Sequence, residues 1–225
     1  MSSRRRWATF DCYGTLIDWE GGIAAALQRL WPNTDRQRLL RRYHVVESLI
    51  QEGGSLAYRE VMARALRAIA AIEGLPLSSD QEYALADSLP SWPAFPEVPA
   101  ALRELRRRGW TLAILSNTDP DLLAASLQQQ IGVPVDLSIT AAEAGSYKPA
   151  RGHWDAFYRQ SGADPAQHVH VGASLFHDIA PARDLGLPAV WINRLHEQSD
   201  VPPTAELTDL SRLPQTLDRL LSSPA

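Results

Sequence analysis

Asp11 stands directly after an apolar run at residues 7–10, and Tyr13, Gly14 and Thr15 follow it. That reads as a strand handing a carboxylate to a tight loop. Three later apolar runs end in the same way. Ser116, Asn117, Thr118 and Asp119 follow the run at 111–115. Tyr147, Lys148 and Pro149 lie in the loop after 135–140. Ser174, with His177 and Asp178, follows 168–171. A carboxylate, a hydroxyl, an amide, an ammonium and a second carboxylate delivered from four separate segments are the groups an active site needs. Each group has a plainer use. An Asp after a strand is often a turn or capping residue, Ser116 and still more Asp119 suit a helix N-cap, Lys148 before Pro149 suits a solvated loop, and Asp178 suits a helix start. Their common position, each just beyond a strand, favours an active site, because ligands of open parallel sheets bind outside the carboxyl ends of the strands.

The elements that must position these groups are legible from periodicity. Between residue 20 and about residue 89 the apolar spacing is helical throughout. Ala24, Leu27 and Leu30 mark one face. Leu39, Leu40, Tyr43, Val46 and Ile50 mark a second, and Tyr58, Val61, Ala65, Leu66 and Ile69 a third. Gly53, Gly54 and Ser55 separate the second helix from the third, and Ser79 and Asp80 open a fourth. Pro90, Pro93, Pro96 and Pro99 then punctuate the chain. After them helices at 100–108, 122–130, 153–160 and 178–185 alternate with strands at 111–115, 135–140, 168–171 and 189–192. A final helix covers 213–221, and the stretch after Arg194 wanders before it. Alternation of this kind specifies an α/β fold, a doubly wound, Rossmann-like parallel sheet covered on both faces. The expected division is a core of residues 1–18 and 97–225 with an inserted helical cap at 19–96. Trp19 and Tyr43 are expected to wall a pocket under that cap. Trp92, Trp110 and Trp191 are expected to pack as core or linker.

Composition narrows the function classes. The 225 residues are 45% apolar, enough for a core. Twenty-two basic residues against 26 acidic give a net charge of −4, which argues against a nucleic-acid surface. Cys12 is the lone cysteine, so no intrachain disulfide forms. No window has the apolar length of a membrane span, and the basic start lacks the apolar stretch of a signal peptide. A cytoplasmic protein, with no membrane partner, is the expectation.

Phe10 to Leu16, Leu115 to Asn117, Tyr147 to Pro149 and Gly172 to Asp178 together resemble the four motifs of the haloacid dehalogenase superfamily, in order and over nearly the whole chain. The resemblance implies Asp11 as nucleophile, Thr15 as a donor beside it, Ser116 and Asn117 as binders of the substrate's anionic group, Lys148 as the cation that keeps Asp11 ionised, and Asp178 as its partner near the hydrolytic water. It also implies Cys12, Tyr13, Ser174 and His177 as substrate neighbours, and an Arg from the cap, for which Arg41 is the first choice. Phosphatases of this superfamily carry a second Asp two residues after the nucleophile and a Gly-Asp pair in the fourth motif, and use Mg²⁺. Here those positions are Tyr13 and Ala173. A halide needs no proton to leave, and Asp11 followed by Tyr13, Gly14 and Thr15 resembles the (S)-2-haloacid dehalogenases, which use no metal. The stretch from Ser174 to Asp178 departs from their pattern and is closer to a sister branch that opens the ring of azetidine-2-carboxylate. The expectation is a hydrolase with no cofactor acting on a small carboxylic acid. A Mg²⁺-dependent phosphatase and the ring-opening hydrolase are the alternatives, and relatives of this kind include homodimers.

Overall fold

β1 (Arg6–Phe10) is flanked by β2 (Trp110–Ser116) on one side and β4 (His168–Gly172) on the other. β3 (Leu137–Thr140) lies outside β2, and β5 (Ala189–Ile192) and β6 (Ala205–Leu207) lie outside β4. The order is β3-β2-β1-β4-β5-β6, and every neighbouring pair is parallel. This computed structural model describes residues 5–52 and 56–222, so the break expected at Gly53, Gly54 and Ser55 lies outside the described residues. The chain leaves β1 towards β2 and β3, then returns to the opposite side at β4. The carboxyl ends of β1 and β4 therefore flank the switch point at which doubly wound sheets bind ligands.

Alternation along the strands explains the two covered faces. Ala8, Phe10, Leu112, Ile114, Val169, Val171 and Val190 face one side. There they meet α5 (Val98–Arg107), α6 (Pro120–Ser126) and α10 (Leu213–Ser222) through Leu102, Leu123 and Leu217. Trp7, Ala113, Leu115, Ile139 and Trp191 face the other side. α8 (Gly152–Ser161) and α9 (Ala180–Asp184) cover them with Trp154, Phe157 and Ala182, while the single turn α7 (Ala141–Ala144) follows β3. Burying a large apolar side chain stabilises a fold by roughly 1.5–3 kcal/mol, so two such layers hold the sheet rigid beneath its carboxyl edge.

Between β1 and β2 the described chain forms α1 (Trp19–Leu30), α2 (Arg36–Gln51), α3 (Tyr58–Glu73) and α4 (Ala84–Ser88). The excursion leaves and returns through one clasp. Asp18 N donates to Pro93 O at 2.9 Å and Phe95 N to Leu16 O at 3.0 Å, around an antiparallel bridge between Ile17 and Ala94. A second tie comes from Asp119. Its carboxylate accepts from the backbone N–H groups of Tyr58 and Arg59 at 2.8 and 3.0 Å, capping α3, whose own flanking residue Ala57 cannot. Asp119 thus caps a helix 60 residues away rather than the one it precedes.

Several elements differ from the sequence reading. β6 occupies part of the stretch expected to wander. At three residues beside Pro202 and Pro203 it is too short to show a period. The fourth inserted helix is broken into a 3₁₀ turn at Ser79–Gln81, the short α4 and another 3₁₀ turn at Leu89–Ser91, where Pro90 sits in the first turn. The helix after β2 ends in a π turn at Leu127–Ile131, and α9 is preceded by one at Leu175–Ile179. Among the described residues, no helix is long and apolar enough to cross a membrane.

Candidate active site

β1 ends at Phe10, and Asp11 is the first residue beyond it. The following loop folds back on itself. Leu16 N and Ile17 N donate to Cys12 O at 2.8 and 3.0 Å, and Gly14, with φ of 92°, makes the reversal at a backbone angle few other residues adopt. That reversal brings Thr15 under the carboxylate. Thr15 Oγ1 donates to Asp11 Oδ2 at 2.7 Å and accepts from Ala173 N at 2.9 Å. On the other oxygen, Lys148 Nζ donates to Asp11 Oδ1 at 2.9 Å. With one donor on each oxygen the carboxylate plane is fixed, and each oxygen keeps a lone pair for attack.

Lys148 also donates to Asp178 Oδ1, at 2.6 Å. Asp178 comes close because Gly172, the last residue of β4, leaves room: a Cβ there would stand 2.5 Å from the Asp178 Cγ. The three charges are buried, Lys148 to 2% exposure and Asp178 to 0%. Burial raises the Asp11 carboxyl against the opposing pull of the Lys148 ammonium. Burial would also raise Asp178, but the ammonium and His170 outweigh it and hold that carboxyl well below its ordinary range. Burial would lower the ammonium, but the two carboxylates prevail and raise it. Lys148 is therefore held charged, and Asp178 is the firmly ionised partner.

A hydrogen-bonded chain runs from Asp178 across the sheet: His170 Nε2 to Asp178 Oδ1 at 3.3 Å, Thr9 Oγ1 to His170 Nδ1 at 2.8 Å, His168 Nε2 to Thr9 Oγ1 at 2.7 Å, and Tyr158 OH to His168 Nδ1 at 2.7 Å. With neutral rings one assignment satisfies every atom. Tyr158 donates to His168, His168 to Thr9, Thr9 to His170 and His170 to Asp178. Burial pushes His168 down to about 3, in keeping with a neutral ring. Thr9→Val keeps the shape and removes the hydroxyl that both imidazoles share. It is expected to cost about 1–3 kcal/mol in urea denaturation, the desolvation penalty of a stranded polar group. An unchanged midpoint would show that the chain is not holding the sheet.

A cavity of about 510 Å³ opens above these groups. Asp11, Tyr13, Ser116, Asn117, Lys148, Ser174, His177 and Asp178 line it, so the structure brings most of the candidate residues together. Their parts differ. Ser116 Oγ is buried and has no partner among the described residues. Asn117 spends its amide on the backbone of Lys148, donating to its O at 3.0 Å and accepting from its N at 2.7 Å, so it clamps the lysine loop. Ser174 Oγ accepts from His177 N at 3.0 Å and meets His177 Nδ1 at 3.0 Å; burial lowers the His177 pKa. The Tyr13 hydroxyl meets Ser126 Oγ at 2.9 Å.

Two expectations fail on position. Cys12 is fully buried behind the loop and does not line the cavity; burial pushes its thiol well up. Arg41 is exposed and also off the cavity, because α2 turns Leu40, Tyr43 and Glu47 inward and Arg41 out. The arginine that does line the cavity is Arg194, two residues past β5. It donates to Thr15 O at 2.8 Å and Glu97 Oε1 at 2.7 Å and lies over Phe95, and its buried Nε has no partner among the described residues. Its signal in the sequence is the one shared by Asp11 and Ser116, a polar residue just beyond an apolar run, here the run that ends at Ile192. From the inserted helices come Trp19, His44, Glu47 and Tyr58. The Trp19 N–H donates to Tyr58 OH at 3.2 Å, and Tyr58 OH to Glu47 Oε1 at 3.1 Å. Burial raises the Glu47 carboxyl to about 7. Tyr43 packs edge-on against Trp19 rather than on the cavity itself.

Residues 6–186 match the family profile of haloacid dehalogenase-like hydrolases. The chain belongs to that family. An (S)-2-haloacid dehalogenase of Pseudomonas sp. strain CBS-3 is 30% identical over 96% of this hydrolase and 97% of its own length. A crystal structure of an L-2-haloacid dehalogenase superimposes with a TM-score of 0.87 at 27% identity, covering 96% of this chain and all of the other. A ribulose-1,5-bisphosphate 5-phosphatase of Halopiger xanaduensis is 29% identical over 88% of each chain. The phosphatase branch raises the question of Mg²⁺, and the residues present here do not fit it. Among the described residues no three His, Cys, Asp or Glu side chains converge as ligands. The two carboxylates at the site, Asp11 and Asp178, both spend an oxygen on the Lys148 ammonium, while Mg²⁺ asks for several hard oxygens in octahedral array.

Proposed function

We propose that this hydrolase attacks carbon in a small 2-substituted carboxylic acid, in the manner of a 2-haloacid dehalogenase, with Asp11 as nucleophile and no metal. The observation that carries this reading is the Asp11 carboxylate, fixed by Lys148 on one oxygen and Thr15 on the other, beside Ser116, which lines the same cavity and whose hydroxyl has no partner among the described residues. An Asp11 oxygen bonds to C2 as the C2–halogen bond breaks, and the electron pair leaves with the halide. Water then adds to the Asp11 carbonyl carbon of the ester. One proton of that water passes by way of Asp178 to solvent, the ester C–O bond breaks, and the other proton goes to the departing C2 oxygen, so that the 2-hydroxy acid leaves and Asp11 is again a carboxylate. Tyr13 suits this chemistry, since a halide leaves without a proton. A phosphate ester would need an acid for its leaving alcohol and a metal for its charge, and neither Tyr13 nor Ala173 supplies one.

Halide release from (S)-2-chloropropionate in the presence of EDTA is the expected activity. The decisive measurement is a single turnover in ¹⁸O-water with enzyme in excess, followed by mass spectrometry of the Asp11 peptide. One ¹⁸O is expected in the Asp11 carboxylate, because water attacks its carbonyl. Label in the product and none in Asp11 would overturn the covalent route. EDTA-sensitive release of phosphate from aryl phosphates, with no halide release, would favour the phosphatase reading.

A further inference from the structure

The cavity is lined by more acidic than basic side chains. Asp11, Asp18, Glu20, Glu47, Asp178 and Glu197 line it, against two permanent cations, Lys148 and Arg194. Lys148 is spent on Asp11 and Asp178, and the Arg194 Nη2 on Thr15 and Glu97. Among the described residues no cation pairs with Glu47. It is 8% exposed, and its Oε1 accepts only from Tyr58 OH at 3.1 Å and Gln51 Nε2 at 2.7 Å. A buried carboxyl without a counter-charge is unfavourable and persists where something else repays it. Burial raises this carboxyl to about 7, a cost that an adjoining ammonium would relieve.

Two residues that line the same cavity each carry a donor with no partner among the described residues. Among the described residues nothing pairs with Ser116 Oγ, on a residue 1% exposed, or with the buried Arg194 Nε. Both come from the sheet edge, whereas Glu47 comes from the helices above it. A ligand with a carboxylate for the edge and a cation for the helices would complete all three. Resting on the reading of this site as one that attacks carbon beside a carboxylate, we infer that Glu47 binds a positively charged nitrogen, so that the substrate is a small 2-substituted carboxylic acid carrying an ammonium group. The plain haloacids are then partial substrates that leave Glu47 unmatched.

The test uses ligands that cannot react. Glycine, β-alanine and 4-aminobutanoate are titrated calorimetrically into the wild-type protein beside acetate, propanoate and butanoate. At least one ω-amino acid is expected to bind about ten- to a hundredfold tighter than its plain partner, the worth of a charge-assisted hydrogen bond. Glu47→Gln, which keeps the size and an acceptor oxygen for Tyr58, is expected to erase that preference. Equal or weaker binding of every amino acid by the wild-type protein overturns the inference, whether or not the variant folds. So does a preference that survives in Glu47→Gln. Because no ligand is turned over, these outcomes are independent of the ¹⁸O experiment. A missing Asp11 ester with an intact ammonium preference would sink the chemistry and leave the binding site standing.

Discussion

Asp11→Asn is expected to remove turnover, by roughly four orders of magnitude or more, the scale on which a nucleophile's loss is felt. The amide has no anionic oxygen to attack carbon. The fold should survive, because Lys148 retains Asp178 at 2.6 Å and Thr15 retains Ala173 N. Substrate binding should survive too, since Ser116 and Arg194 are untouched. The measurement is halide release under enzyme excess, with thermal denaturation as a control for folding. A variant that folds and still turns over within about tenfold of wild type would place the nucleophile elsewhere.

The second large effect concerns the cation between two carboxylates. Lys148→Met is expected to cost about 3–5 kcal/mol, the penalty for stranding buried charge. Asp11 and Asp178 would then face each other across an apolar side chain in a site with 2% exposure at its centre. Asp178 would keep His170 at 3.3 Å, which is too little to replace an ammonium. Removing one of the two charges should relieve much of the loss, so Lys148→Met with Asp178→Asn should be more stable than Lys148→Met alone. Urea denaturation of the three proteins decides it. A single variant as stable as wild type would mean that the carboxylates carry no net charge in the fold.

The parts of this site that are legible in the sequence share a cause. Asp11, Ser116, Lys148 and Asp178 come after apolar runs, and the carboxyl edge of a parallel sheet gathers the residues just beyond its strands. Arg194 obeys the same rule, but it opens the stretch that reads as irregular, where β6 is too short to show itself. The inserted helices give a weaker signal. Arg41 and Glu47 sit on one amphipathic helix, and a charged residue on its inner face looks in sequence like any solvated one. Only the rotation of α2, fixed by Tyr43 and Val46 against the core, shows that the acid faces the cavity and the base does not. Asp119 is hidden for a different reason. Its capping partner is 60 residues away, and no local spacing announces it.

The clasp at Ile17 and Ala94 has a bearing on descent. A detour that departs and rejoins at one bridge imposes no change of register on β1 or β2, whatever its own length or content. The polypeptide can thus exchange the roof above Asp11 while inheriting the carboxylate, the ammonium and the sheet unaltered. The wall residues Trp19, His44, Glu47 and Tyr58 thus lie in one stretch of sequence and the charges of Asp11, Lys148 and Asp178 in others, so the first can vary while the second stay.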